Sequence, residues 1–144
     1  MPQRKVSHHR RILSETRFPV GGRIWPHNII RFRYHTKNNW DLRPLVYVLP
    51  AMSVADRKLQ RLRTHIFGIN LNYLNEYTVQ KLLSEPSVAQ KDIRLVRFKH
   101  WNMYEDAFRT YLVNELKEVK LVTYKTDAML ELERIERKKK RRGR

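Results

Sequence analysis

Eight of the last eleven residues, Arg134 to Arg144, are Lys or Arg. The first 35 residues carry eight more cations, Arg4, Lys5, Arg10, Arg11, Arg17, Arg23, Arg31 and Arg33, against one acid, Glu15. Glu136 is the only acid of the C-terminal run, so each end is +7 and together they hold +14 of the formal +17. Like charges at this density repel and stay in water, so a packed body must come mainly from the residues between the two ends. Such ends suit a chain that holds a polyanion, because each phosphate neutralised releases condensed counterions. The plainer alternative is that they solubilise the chain or act as a nuclear address, since runs like KKKRR match such signals by chance.

The chain has 144 residues, which suits one domain of roughly 100 residues with a modest core once the arms are set aside. It has no cysteine, so a disulfide framework and a thiolate metal site are both excluded, and a reducing interior is the default expectation. No apolar run approaches the roughly 20 residues that span a bilayer, and residues 1–20 lack the apolar stretch of a secretory signal. The expectation is a soluble chain, with nucleic acid preferred to membrane as partner.

Residues 1–20 show little apolar content and no period, and read as a basic arm without a fold of its own. Gly21 and Gly22 mark a turn. Residues 23–25 and 29–34 then read as strand, with Ile30, Phe32 and Tyr34 on a core face and Arg31 and Arg33 on a basic one. Pro44 precedes 45–49, a β-forming apolar run that suits a buried strand. Residues 50–64 read either as a short helix or as a long basic loop. Residues 65–74 return to strand character, with Gly68 marking a bulge or a close backbone contact. Asn75 is placed to cap a helix over 76–84 that Pro86 ends, burying Val79, Leu82 and Leu83.

Residues 93–101 alternate apolar and basic side chains. Asn102 and Glu105 resemble a capping box for a helix carrying Ala107, Phe108, Tyr111 and Leu112, while 110–113 reads equally as strand. Residues 119–124 read as a last strand. Asp127 is expected to cap a final helix with Met129, Leu132 and Ile135 inward and with Glu133–Arg137 and Glu136–Lys140 pairs, continuing into the tail. Several short strands with short helices suggest an α+β chain built on a small barrel or half-barrel.

No motif for catalysis is present. The six histidines lack metal-ligand spacing beside a carboxylate, Glu105 and Asp106 point in different directions on a helix, and four glycines form no phosphate-cradling loop. The expectation is a non-enzymatic protein with no cofactor and no metal. The candidate nucleic-acid contacts are Arg4, Lys5, Arg10, Arg11, Arg17, Arg31, Arg33, Arg137, Lys138, Lys139, Lys140, Arg141, Arg142 and Arg144. Aromatics interleaved with cations can stack on unpaired bases, and Trp40 and Trp101, in polar surroundings, are the candidates. Phe32 and Tyr34, at strand spacing, read better as core.

The blocks Gly22-Arg-Ile, IIRFRYHTK at 29–37, RPLVYVL at 43–49 and FGINLNYL at 67–74 resemble small virion or DNA-associated proteins of tailed bacteriophages, and FRTYLVNELKEVKLV at 108–122 is similar to a later pattern in them. The resemblance implies an SH3-like barrel over 21–126, between an N-terminal arm at 1–20 and a C-terminal helix and tail at 127–144. It also implies a DNA-end-protector-like or other virion structural and assembly role, in the virion or in the host cytoplasm during assembly. DNA, more than RNA, and neighbouring particle proteins are the implied partners. The turn NNWDLR departs from that family's usual acidic turn, which puts the ligand of the first loop in question. A ribosomal or other RNA-particle protein is the alternative. A small-barrel toxin ribonuclease is a weaker one, since only Arg43 and Pro44 align with that pattern.

Overall fold

A computed structural model of the chain describes residues 12–19, 23–36, 41–50, 64–90 and 97–143. Six strands, β1 (Ile12–Arg17), β2 (Ile29–Arg33), β3 (Leu45–Leu49), β4 (His65–Asn70), β5 (Phe108–Leu112) and β6 (Lys117–Tyr124), form one antiparallel sheet in the order β1-β6-β2-β3-β4-β5. Helices α1 (Glu76–Ser84) and α2 (Pro86–Ala89) follow β4, and α3 (Asp127–Arg142) follows β6. The chain is α+β, and its sheet is open with β1 and β5 at the edges. The helix-or-loop segment at 51–63 and the start of the alternating segment, 93–96, fall outside the described residues.

The sheet is strongly curled. Phe32 of β2 and the adjoining Tyr34 each meet Tyr111 of β5 edge to face at 5.1 Å, although β3 and β4 lie between those strands. In a flat sheet three strand spacings would separate them by about 14 Å. The Leu112 amide donates to the Tyr34 hydroxyl at 3.1 Å, which ties the edge strand across the curl. Ile30, Phe32, Tyr34, Val46, Val48, Ile66 and Tyr111 fill the concave side. On the convex side Leu45, Tyr47, Leu49, Ile69 and Leu71 pack under Val79 and Leu82 of α1, Val88 of α2, and Tyr104 and Ala107. All five residues of β3 are therefore buried, as its unbroken apolar run predicts.

Among the described residues two carboxylates are taken into the interior, and both are engaged by donors. Asp41 Oδ2 accepts from Asn72 Nδ2 at 2.6 Å and Asn70 Nδ2 at 3.1 Å, while its Oδ1 accepts from the Arg43 amide at 3.1 Å. Glu85 accepts from the amides of Lys99 and His100 and from the Tyr104 hydroxyl, at 2.9 to 3.1 Å. It thereby fixes the segment that leads into β5.

Several elements differ from the sequence reading. Residues 12–17, read as part of the arm, pair with β6 as β1. Residues 23–25 lie outside the strands, ahead of a turn in which His27 has φ 72° and its ring Nδ1 meets the Tyr47 hydroxyl. The capping box at Asn102 does not form: two 3-10 turns cover 101–107, and 108–112 pairs with β4 as a strand. Burial of Tyr104 and Ala107 and the open edge of β4 outweigh the local helical spacing. α1 runs over 76–84 with Asn75 as its cap, accepting from the Thr78 amide at 2.8 Å, and Pro86 opens α2 instead of only closing α1. α3 is capped by Thr126, one residue before Asp127, and buries none of its residues: Leu132 and Ile135 are 61% and 42% exposed. The Glu133–Arg137 pair forms at 3.8 Å.

Gly68 of β4 lies opposite Val48 of β3. A Cβ there would clash with the Val46 side chain and approach the Tyr47 carbonyl oxygen to 2.6 Å. Gly68→Ala is expected to destabilise by about 1–3 kcal/mol, seen as a lower urea midpoint at unchanged slope. Burial raises the pKa values of Tyr47, Tyr104 and Tyr111 far above that of a free tyrosine, with the Glu85 hydrogen bond adding to it at Tyr104. The folded state thus keeps protons that the unfolded chain loses above about pH 10, and stability is complete below that pH and falls as pH rises. Unfolding free energies from urea titrations run from neutral pH upward should hold until about pH 10, then drop by up to about 1.4 kcal/mol per tyrosine per unit.

Candidate nucleic-acid interface

The helices cover the convex side of β3 and β4 and reach Ile29 of β2 and Val122 and Tyr124 of β6, where the Tyr124 hydroxyl meets Glu76 of α1. The rest of that side, around Arg17 of β1, Lys117 and Lys120 of β6 and Arg31 and Arg33 of β2, is basic, and strand register brings its cations into rows. Lys120 of β6 lies directly opposite Arg17 of β1 on one side and Arg31 of β2 on the other. Directly opposed residues share a face of an antiparallel sheet, so these three form one row. Arg33 lies opposite Lys117 in the next row. That row reaches β3, because the Phe32 and Tyr34 amides donate to the Pro44 and Leu42 carbonyls and so bracket an Arg33–Arg43 position.

Lys117 reaches this face through an irregularity. It is three residues from Lys120, and in a regular strand the two would point to opposite faces. The register shifts by one between Arg31 and Arg33, at the place where Glu118 takes φ 53°. The extra residue restores Lys117 to the side of Lys120, at the cost of about 1–2 kcal/mol for a left-handed side-chain-bearing residue.

Glu15 is the acid that answers this group. It binds Arg31 at 2.5 Å and stands 3.9 Å from Lys120. Among the described residues Arg17, Arg33, Arg43 and Lys117 have no ion pair. Like charges directly opposed across strands disfavour the sheet by a few tenths to about 1 kcal/mol each, and an anion laid over the rows removes that repulsion. Arg17, Arg43 and Lys120 also line an open cleft of about 700 Å³ with Phe18, Pro19, Val119 and Glu118. A second groove, about 620 Å³ between α1 and the start of α3, brings Lys81 and Asp127 to its wall and is balanced in charge.

The second basic surface is the end of α3, where Arg137, Lys138, Lys139, Lys140, Arg141 and Arg142 are all exposed. The helix is anchored at its start by the Lys125–Glu133 pair at 3.0 Å and the bond from the Asp127 amide to Gln80 Oε1 at 3.0 Å. Its basic end therefore stands out from the body.

Of the sequence candidates, the fold brings Arg17, Arg31 and Arg33 together on one face and holds Arg137–Arg142 on one exposed helix end. Arg4, Lys5, Arg10, Arg11, Trp40 and Arg144 lie outside the described residues. Trp101 is 37% exposed and packs against Phe108 at 4.8 Å and Phe98 at 5.8 Å, so it belongs to a half-open ring cluster. The sequence reading did not place Lys117, Lys120 and Arg43 among its contacts. For Lys120 the period-two pattern of β6 was a usable signal; for Lys117 the bulge hid it.

Among the described residues no group of three or more His, Asp or Glu side chains is placed to hold a metal, and no helix is long and apolar enough to cross a membrane. Compared with protein-family models, curated proteins and solved structures, the chain matches none.

Glu118→Gly should relieve the left-handed strain while leaving the cation rows in register. The expected outcome is a gain of about 1 kcal/mol in urea unfolding, less the added flexibility of glycine in the unfolded chain, with the register of the basic face unchanged.

Proposed function

We propose that this chain is a non-enzymatic structural protein of a tailed-bacteriophage particle that docks through its body and holds DNA on a sheet face and a projecting helix. The observation that carries this reading is the pair of cross-strand rows, Arg17–Lys120–Arg31 and Arg43–Arg33–Lys117, answered among the described residues by Glu15. A fold that opposes like charges on neighbouring strands is relieved by a ligand that supplies regularly spaced negative charge, and a phosphate backbone is such a ligand. The curled sheet, closed over its concave core by the Phe32–Tyr34–Tyr111 contacts, supports an SH3-like half-barrel as the body. Contacts of this kind position a duplex without reading its sequence.

Affinity for duplex DNA should fall linearly in log–log form with salt and vary little with sequence. Removing residues 137–144 should lower the slope by about 0.9 for each phosphate that those residues neutralise, which fluorescence anisotropy at several salt concentrations measures directly. Identical slopes for the two chains would remove α3 from the interface. Tighter binding to folded RNA than to duplex DNA, with recovery in ribosomal subunits instead of virions, would reassign the protein to an RNA particle.

A further inference from the structure

Arg43 is held differently from the other cations of the face. Its amide donates to Asp41 Oδ1 at 3.1 Å, and its carbonyl accepts from Asn72 Nδ2 at 3.0 Å. Asn72 Nδ2 also donates to Asp41 Oδ2, as does Asn70 Nδ2, and the Asn70 side chain accepts from the Asn72 amide at 3.0 Å. Asp41, Asn70 and Asn72 are all buried, at 1%, 1% and 5% exposure. A buried, mutually bonded set of side chains thus clamps the backbone of one exposed arginine from both sides. Nothing about packing requires the residue so clamped to be an arginine, since its side chain is exposed.

That arginine lines the cleft with Arg17 and Lys120, between walls of Phe18, Pro19 and Val119. Glu118 also lines it, leaving three cations against one acid and a local charge suited to one anionic group. Two guanidinium groups and an ammonium thus line one cleft, and a guanidinium fork matches the bidentate geometry of a phosphate.

We infer that Arg43, Arg17 and Lys120 form a preorganised clamp for a backbone phosphate of nucleic acid, with Asp41, Asn70 and Asn72 as its positioning residues. The inference rests on the nucleic-acid reading above and names the part of the face where binding is most localised. Arg43 begins with its backbone fixed, so less conformational entropy is lost when its side chain engages a ligand than for a cation on a mobile segment.

The test is fluorescence anisotropy of the full chain with a short random-sequence duplex. Arg43→Gln should weaken binding about tenfold and lower the salt slope by about 1, whereas Arg43→Lys keeps the slope. Lys99→Gln, an exposed cation away from the cleft, leaves both unchanged. Asn72→Ala should weaken binding only while Arg43 is present, so that adding it to Arg43→Gln changes nothing more; a merely structural role would add its loss in either background. Where Asn72→Ala does not fold, the Arg43 and Lys99 variants decide alone. Arg43→Gln behaving like Lys99→Gln, while the intact chain still binds, would overturn the clamp and leave the proposed function standing. An intact chain that does not bind the duplex would overturn both. Polyglutamate competing as well as DNA of equal charge would overturn phosphate in favour of an acidic protein.

Discussion

The carboxylate of Asp41 is out of water, and the segment before β3 takes its shape from how that charge is satisfied. Desolvating an ionised carboxylate costs several kcal/mol unless donors replace the lost water. Here the Arg43 amide and the side chains of Asn70 and Asn72 do so. The donors come from the entry to β3 and the exit of β4, which meet at one end of the antiparallel pair although they lie about thirty residues apart in the chain. The entry to β3 is therefore tied to the exit of β4, and the pairing register of the buried β3 with the largely buried β4 is held at its polar end. A one-residue slip would strand the carboxylate and also turn Leu45, Tyr47 and Leu49 to the wrong side.

Register then decides what the surface looks like. With β3 fixed, β2 pairs beside it and β6 beside β2, and the helices after β4 reach as far across the convex face as Ile29, Val122 and Tyr124. The rest of that face is left to β1, β6 and β2, where alternation sends Arg31, Arg33, Lys120 and Arg17 outward as Ile30, Phe32, Val119 and Leu121 turn to the concave core. The basic face is the outward side of the same alternation that builds the core. The one exception is Lys117, which needs the left-handed Glu118 to join it.

Elements whose signals are local were legible in the sequence. The cap at Asn75 and the apolar run at 45–49 led directly to α1 and β3, because capping and burial patterns act within a few residues. β5 was ambiguous, since 108–112 fits a helix by spacing and becomes a strand only because β4 offers an open edge. β1 was hidden for the same reason: a segment with little apolar content is ordered by a partner more than 100 residues away. The inward positions expected on α3 failed in the other direction, because an amphipathic pattern shows that a face can be buried and not that anything covers it. The cation rows could not be read before the strand order was known.

The two basic surfaces differ in a way that bears on how a polyanion would be engaged. Six consecutive cations at the end of α3 stand out in solvent, where their field reaches about 10 Å at 0.1 M salt and long side chains stay mobile. Such a group attracts a polyanion from a distance and tolerates many approach angles, which raises the rate of encounter more than it fixes an orientation. The sheet rows have the opposite character. Their spacing is set by backbone hydrogen bonds, Glu15 already orients Arg31, and Arg43 begins from a clamped backbone. Under the proposed function, a ligand brought in by the helix would gain defined geometry only on reaching the sheet, so capture would fall to α3 and orientation to β1, β6, β2 and Arg43.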